Sequence, residues 1–183
     1  MIIIFTGNGK GKTTASLGQM MRMVGRGKNA LMIQYIKGPW KSGEDFIEVM
    51  QKNHATLRHN SRSSTFQLIK MGLGFVGILG DTLPRKEHVH AAEQALAYFE
   101  KELAAKKWGL IVLDEINVAV QLKLLKAATV LKTLKKVPLD TFVILTGRGA
   151  PPSFIRAAHL ATEMREIKHP FAKGELAKIA LDF

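Results

Sequence analysis

Apolar residues in this chain fall into two rhythms. Unbroken apolar runs at Met1-Ile2-Ile3-Ile4-Phe5, Ala30-Leu31-Met32-Ile33-Gln34-Tyr35-Ile36, Trp108-Gly109-Leu110-Ile111-Val112-Leu113 and Thr141-Phe142-Val143-Ile144-Leu145 predict strands buried on both faces. Between them, apolar residues at three- and four-residue spacing predict helices. One runs from Thr13 to about Val24 and stops at Gly25-Arg26-Gly27. A long one runs from Lys86 to Ala105 on Ala91, Ala95, Leu96, Tyr98, Phe99 and Leu103. A lysine-rich helix passes through Leu122–Lys136, and another covers Pro152 to Leu160. Weaker patterns predict a short helix from Gly43 to Gln51, a brief strand at Thr56-Leu57-Arg58-His59, a strand near Glu163 to Ile167 and a last strand from Leu176 to Phe183. The stretch from Asn60 to Pro84 is glycine-rich and aperiodic, and takes no assignment. Loops of that length inside compact domains are usually functional.

Strands alternating with helices predict an α/β fold with a mostly parallel sheet covered on both faces, within one domain of 183 residues. Ligands bind such sheets at the carboxyl ends of the strands. Four polar segments fall there: Gly7 to Thr13, Lys37-Gly38, Asp114-Glu115 and Thr146-Gly147-Arg148.

The first of these carries the strongest chemistry. Gly7-Asn8-Gly9-Lys10-Gly11-Lys12-Thr13-Thr14 stands between a predicted strand and a predicted helix. Glycines let successive backbone N–H groups turn toward one anion, and the helix that follows points its positive end at the same place. Lys12 adds a charge for the outer phosphates, and the Thr13 hydroxyl suits a Mg²⁺ ion. The spacing predicts a nucleoside triphosphate site. The usual pattern G-x-x-x-x-G-K-[ST] would need glycine at position 6, where this chain has Thr6. The loop is therefore one residue short between its glycines.

Asp114 and Glu115 end the apolar run Leu110-Ile111-Val112-Leu113 and supply the carboxylates that a phosphate-bound Mg²⁺ takes as ligands. Sequence leaves open which of the two ligates directly, and acids also favour helix N-termini for dipole reasons alone. Arg148, between Gly147 and Gly149, suits a cation that approaches a phosphate closely, or a plain surface arginine. His88 and His90 stand two apart in a helix and face different ways, which argues against a metal pair. No Ser-His-Asp order, cysteine nucleophile or isolated general base is present, so a reaction run here needs little acid–base help.

Composition refines this reading. There is no cysteine, hence no disulfide or thiolate metal site. No apolar run reaches membrane-spanning length, and no signal peptide is apparent, which predicts a cytoplasmic protein with no membrane partner. The net charge of +12, from 27 basic and 15 acidic residues, fits an anionic small molecule, an acidic redox partner or nucleic acid. The densest basic group, in Leu122–Lys136, has leucines on one side and lysines on the other. That is an ordinary solvated helix face, so nucleic acid is not the expected partner.

These segments resemble the P-loop corrinoid adenosyltransferases, the family that converts cobalamin and its precursors to their adenosyl forms. The resemblance rests on Thr6 through Thr14, Arg22, Val24-Gly25, Gly27-Lys28-Asn29, Gln34-Tyr35-Ile36-Lys37-Gly38, Gly43-Glu44 and Val112-Leu113-Asp114-Glu115. It continues through Thr146-Gly147-Arg148-Gly149, Thr162-Glu163-Met164 and Lys168-His169-Pro170-Phe171, and so covers the whole chain. The short loop is itself a mark of the family. The resemblance implies a RecA-like fold, a homodimer, ATP as co-substrate with Mg²⁺, a corrinoid as acceptor, and a flavoprotein reductase as a possible source of electrons. It implies attack by Co(I) on the 5′ carbon of ATP, with triphosphate leaving as a unit. It assigns Gly7, Asn8, Gly9, Lys10, Gly11, Lys12, Thr13 and Thr14 to the triphosphate, with Arg22 and Arg148 in the nucleotide site. Thr13 with Asp114 or Glu115 would hold Mg²⁺.

The same resemblance marks departures. The family's Gly-Phe-Thr-Trp run over the corrinoid corresponds here to Gly74-Phe75-Val76-Gly77, which keeps phenylalanine and lacks tryptophan. Phe75 is thereby placed at the lower face of the corrinoid, or else anchors its loop to the core. The family's Ala-Asp appears as Ala158-His159, and its Ala-Gln-x-Gly as Ala177-Lys178-Ile179-Ala180. Fold and charge also fit a RecA-like ATPase acting on nucleic acid, and a diverged ATP-binding paralogue without corrinoid activity is a third reading.

Overall fold

A computed structural model describes residues 1–38, 40–46, 64–78, 80–179 and 181. Its six strands are β1 (Ile2–Thr6), β2 (Ala30–Gln34), β3 (Phe66–Lys70), β4 (Leu110–Asp114), β5 (Phe142–Thr146) and β6 (Leu160–Glu163). They form one sheet in the order β3-β2-β4-β5-β1-β6, and every neighbouring pair is parallel. The helices are α1 (Lys12–Gly25), α2 (Arg85–Ala104), α3 (Ile116–Gln121), α4 (Ala127–Leu134) and α5 (Pro152–Ala157), with short 3₁₀ turns at Gly43–Phe46 and Pro170–Lys173.

Alternation along the central strands divides the core. Ile4, Leu31, Ile33, Ile111, Leu113, Val143 and Leu145 point to one face, where they meet Ala92, Ala95 and Phe99 of α2, Ile116 of α3, Val130 of α4 and Phe154 of α5. Phe5, Met32, Leu110, Val112 and Ile144 point to the other, against Met20 and Val24 of α1. Central strands covered on both sides must be apolar throughout, which is why they read as unbroken runs. Each strand nevertheless ends in a polar residue: Thr6, Gln34, Lys70, Asp114, Thr146 and Glu163. The register pairs Phe5 with Thr146 and Gln34 with Asp114, so these ends gather along one edge of the sheet.

Several expected elements differ. The lysine-rich segment is not one helix: α3 ends at Gln121, Lys123 takes φ 57°, and buried Leu124 and Leu125 turn into the core before α4 begins. The strand expected at Glu163–Ile167 lies earlier, at Leu160–Glu163, where it pairs with β1 from Ile3↔Leu160 to Thr6↔Glu163. Being an exposed edge strand, it carries no apolar run to mark it. α5 stops at Ala157 because Ala158 is already extended. Residues 176–179 and 181 form no strand. The unassigned middle stretch contains β3, a half-buried edge strand. Of the helix expected at Gly43–Gln51, the described part is the 3₁₀ turn; the rest, with the strand expected at Thr56–His59, lies outside the described residues. No helix among the described residues is long and apolar enough to cross a membrane.

Candidate functional site

At the carboxyl edge of the sheet lies a cavity of about 1330 Å³. Its walls include Asn8 through Thr14, Lys37, Glu44, Phe75, Glu115, Arg148 and residues Arg165 through Pro170. The volume exceeds the roughly 300–1,000 Å³ typical of a pocket for one drug-sized ligand. All four predicted polar segments contribute to its lining, through Asn8–Thr13, Lys37, Glu115 and Arg148, and Asp114 stands behind them.

The loop after β1 is built around glycine. Gly7 (φ 96°) and Gly11 (φ 110°) occupy left-handed backbone. A Cβ on Gly7 would lie 2.4 Å from the Met164 carbonyl oxygen, and one on Gly9 would lie 2.7 Å from the Arg165 backbone. These close approaches follow from the Gly9 N–H donating to Met164 O at 2.7 Å, which ties the loop to the chain leaving β6. Lys12 opens α1 and is only 7 % exposed. Its Nζ donates to Gly7 O (2.9 Å) and Gly9 O (2.6 Å), so the ammonium holds the curve of the loop from inside. Burial pushes the Lys12 ammonium below its ordinary pKa, opposed by the charge of Glu115, reinforced by that of Arg148 and opposed again by Asp114.

Asp114 is fully buried at the end of β4. Its Oδ1 accepts from Thr13 Oγ1 (3.0 Å) and Thr146 Oγ1 (2.7 Å), and its Oδ2 accepts from Gln34 Nε2 (3.1 Å). Thr146 Oγ1 also accepts from the Glu115 N–H at 2.9 Å. Among the described residues, no ion pair to Asp114 is formed; its charge rests on hydroxyl and amide dipoles. Glu115 follows with φ 62°, a left-handed conformation that is costly for a residue with a Cβ and frequent at functional sites. Burial, reinforced by the adjacent Asp114 charge, pushes the Glu115 carboxyl up to about 7, against the pull of Lys12, Lys37 and Arg148.

Two adjacent carboxylates lie near a threonine hydroxyl; one is fully buried with no ion pair among the described residues, and burial, with the neighbouring charge, raises the pKa of the other. Beside them Gln34 Oε1 is buried with no partner. A hard divalent cation with oxygen ligands and retained waters suits this donor set. Among the described residues there is no group of three or more His, Asp or Glu side chains that could hold a metal by itself. The remaining ligands would then come from phosphate oxygens and water.

Glu44, in the turn after β2, accepts from Lys37 and from Gln34 Nε2 (3.3 Å). Burial acts to raise its carboxyl, but the Lys37 and Gln34 contacts outweigh it and hold Glu44 below its ordinary value. Gln34 thus links the two acids, Glu44 and Asp114. Arg148 lines the cavity, exposed between Gly147 (φ 121°) and Gly149 (φ 62°). A Cβ on Gly147 would lie 3.0 Å from Glu115 Oε2, so this glycine lets the two loops close on each other. Asn8, Lys10 and Thr14 are exposed on the cavity wall. Phe75 faces the same cavity from the loop after β3.

Arg22 is not brought to this place. It is exposed on the last turn of α1, ten residues beyond Lys12 and so about 15 Å along the helix. The sequence places Lys37 and Thr146 in segments at this edge without giving either a role, and Gln34 and Glu44 enter only among the residues that carry the resemblance. For Gln34 and Thr146 the signal was available, namely a polar residue closing an apolar strand.

Fold and site together define an α/β protein of the RecA-like P-loop class. The model of the family described as ATP:corrinoid adenosyltransferase BtuR/CobO/CobP matches residues 1–183, and the chain belongs to that family. It is 33% identical over 183 residues to the corrinoid adenosyltransferase of Escherichia coli (strain K12), covering 100% of this chain and 85% of that protein. It is likewise 34% identical over 184 residues to the corrinoid adenosyltransferase of a Sinorhizobium species, covering 100% of this chain and 80% of that protein. The corrinoid adenosyltransferase CobA of Salmonella typhimurium (strain LT2) is 33% identical over 183 residues, again with 100% of this chain and 85% of that protein covered.

Proposed function

We propose that this chain transfers the 5′-deoxyadenosyl group of ATP to the Co(I) centre of a corrinoid. A Co–C bond forms as the C5′–O bond breaks, and the electron pair of the broken bond leaves on the triphosphate. Co(I) is a strong nucleophile, which accounts for the lack of an isolated base. The work of the protein is then positioning and charge.

In this reading the loop from Gly7 to Thr14 receives the triphosphate, with Lys12 and Arg148 countering its charge. Thr13 and Asp114, with Glu115 beside them, would hold Mg²⁺, which when bound supplies positive charge to the leaving triphosphate. Gln34 and Thr146 fix the Asp114 carboxylate. Phe75 lies beneath the corrin and excludes water from that side. Resemblance alone assigns Arg22, which lies off the wall of this cavity, to the nucleotide; by resemblance too, the enzyme works as a homodimer and a flavoprotein reductase delivers the electrons.

The observation that carries this reading is that one cavity, larger than a nucleotide needs, is lined by Lys12 and Glu115 and also by Phe75. The test is an anaerobic assay with ATP, Mg²⁺ and chemically reduced cobalamin. An adenosyl-corrinoid spectrum with stoichiometric triphosphate is the expected result. Release of ADP and phosphate without it would instead mark an ATPase.

A further inference from the structure

We propose that Trp40, tilted against Phe75, forms with it an aromatic shelf that receives the flat apolar face of the macrocyclic substrate. The proposal rests on the corrinoid reading above and adds to it a residue on a different loop. The two ring centroids are 5.8 Å apart with an interplanar angle of 38°. Both rings remain open to solvent, Trp40 at 61 % and Phe75 at 44 % exposure, so neither is needed to fill the core.

The backbone is shaped to bring these rings together. Trp40 follows β2 and Phe75 follows β3, and the two loops meet glycine against glycine. A Cβ on Gly38 would stand 2.8 Å from the backbone N and Cα of Gly74. A Cβ on Gly74, at φ 105°, would stand 2.9 Å and 3.0 Å from two carbons of the Trp40 ring. Gly74 N–H donates to Ile36 O at 2.9 Å, and Lys70 Nζ donates to Trp40 O at 2.6 Å. Both loops are thus fixed by bonds to the ends of β2 and β3. A fold that excludes two Cβ atoms in order to hold two exposed rings in contact has built a surface for something else.

Position decides the occupant. Phe75 lines the cavity that Lys12 and Arg148 also line, and Trp40, off that wall, packs against the Phe75 ring. The phosphate loop supplies the charge that a triphosphate needs, and the shelf supplies none. The largely apolar face of a wide ring system matches a pair of tilted aromatic rings, while its polar side chains at the rim stay free of them. The adenine base is the competing occupant and is separated by the test.

Trp40→Ala, Trp40→Leu and Trp40→Phe are compared with the unaltered chain. Equilibrium dialysis under anaerobic conditions gives the affinity for cob(II)alamin at saturating Mg²⁺-ATP, and a separate titration gives the affinity for Mg²⁺-ATP alone. The expected result is that Trp40→Ala weakens cob(II)alamin binding about tenfold or more. Trp40→Phe should retain most of the affinity, Trp40→Leu should fall between, and ATP affinity should stay within about twofold of the original in all three. Unchanged cob(II)alamin affinity in Trp40→Ala overturns the shelf, and so does a fall in ATP affinity matching the loss of corrinoid. If Trp40→Ala does not fold, the comparison of Trp40→Phe with Trp40→Leu decides: equal affinity rejects an aromatic role. If the unaltered chain binds ATP but no cobalamin, the corrinoid reading itself fails and the proposal falls with it.

Discussion

His88 Nε2 lies 3.0 Å from Asp81 Oδ2, and this pair joins the first turns of α2 to the loop that carries Phe75. Asp81 also accepts from the backbone N–H of Gly77 (2.7 Å) and Leu83 (3.0 Å). Those two N–H groups, with His88 adding to them, hold the Asp81 carboxyl below its ordinary pKa. A carboxylate held low in the folded chain stabilises it above its unfolded pKa of about 4, and that contribution is lost as pH falls through the lower folded value. His88 is buried on a helix whose Ala91, Ala92 and Ala95 are core residues, so the clasp references the loop to a rigid element.

Asp81→Ala or His88→Ala should therefore act on the corrinoid side alone. The expected outcome is a rise of roughly tenfold in the apparent KM for the corrinoid, with the KM for ATP unchanged. Limited proteolysis should cut faster between Gly74 and Leu83 in both variants. Equal effects on both KM values would mean that the pair serves general stability.

Lys12→Ala should weaken ATP binding by about two orders of magnitude, the scale of a lost hydrogen bond to charged phosphate, as read by titration calorimetry. The chain should remain folded but not at full stability. Removing the ammonium strips the donor from Gly7 O and Gly9 O, and loss of such a partner costs about 1–3 kcal/mol. A drop in melting temperature is expected even without nucleotide.

Glu115→Gln separates stability from function. A carboxyl raised in the folded state from 4.5 to about 7 destabilises the ligand-free chain as it ionises. Wild-type stability from this group is intact below about pH 4.5 and falls as pH rises through about 7, by up to about 3 kcal/mol. Glutamine lacks this penalty. The variant should match wild type in melting temperature near pH 4.5 and exceed it near pH 8, while needing more Mg²⁺ for turnover. Asp114→Asn should cut turnover as well, without that gain, because it disturbs the receptor for Thr13, Thr146 and Gln34. Full activity in both variants would move the metal elsewhere.

The parts legible in the sequence were those where one physical demand dominates. Central strands must be apolar on both faces, so β1, β2, β4 and β5 stood out, and the phosphate loop stood out because glycines and Lys12 serve a single anion. What escaped was set by tertiary context. β6 is an exposed edge strand whose place is fixed by pairing with β1, and β3 is a half-buried edge inside a glycine-rich stretch. The break at Lys123 is invisible to helical spacing, since Leu124 and Leu125 suit a helix as well as a turn into the core. The sequence presents Lys12 only as a charge for the phosphates, yet it is buried and braces its own loop. Trp40 gave no signal at all, because its partner is thirty-five residues away on another strand end.

Phe75 supplies the last prediction. Co(II) is reduced to a useful nucleophile only once its lower axial ligand has gone, because that ligand makes reduction harder. An apolar ring beneath the corrin, with Trp40 packed beside it, would disfavour return of that ligand. Chemically prepared Co(I) has no such step left to overcome. Phe75→Ala should therefore depress turnover from Co(II) with a reductase by about tenfold or more, and turnover from preformed Co(I) by about threefold or less. Its melting temperature should change little, since the ring is 44 % exposed. If Phe75 merely anchors its loop, both activities and the melting temperature will fall together. Steady-state assays in the two modes, run beside thermal unfolding of the same preparation, distinguish these outcomes.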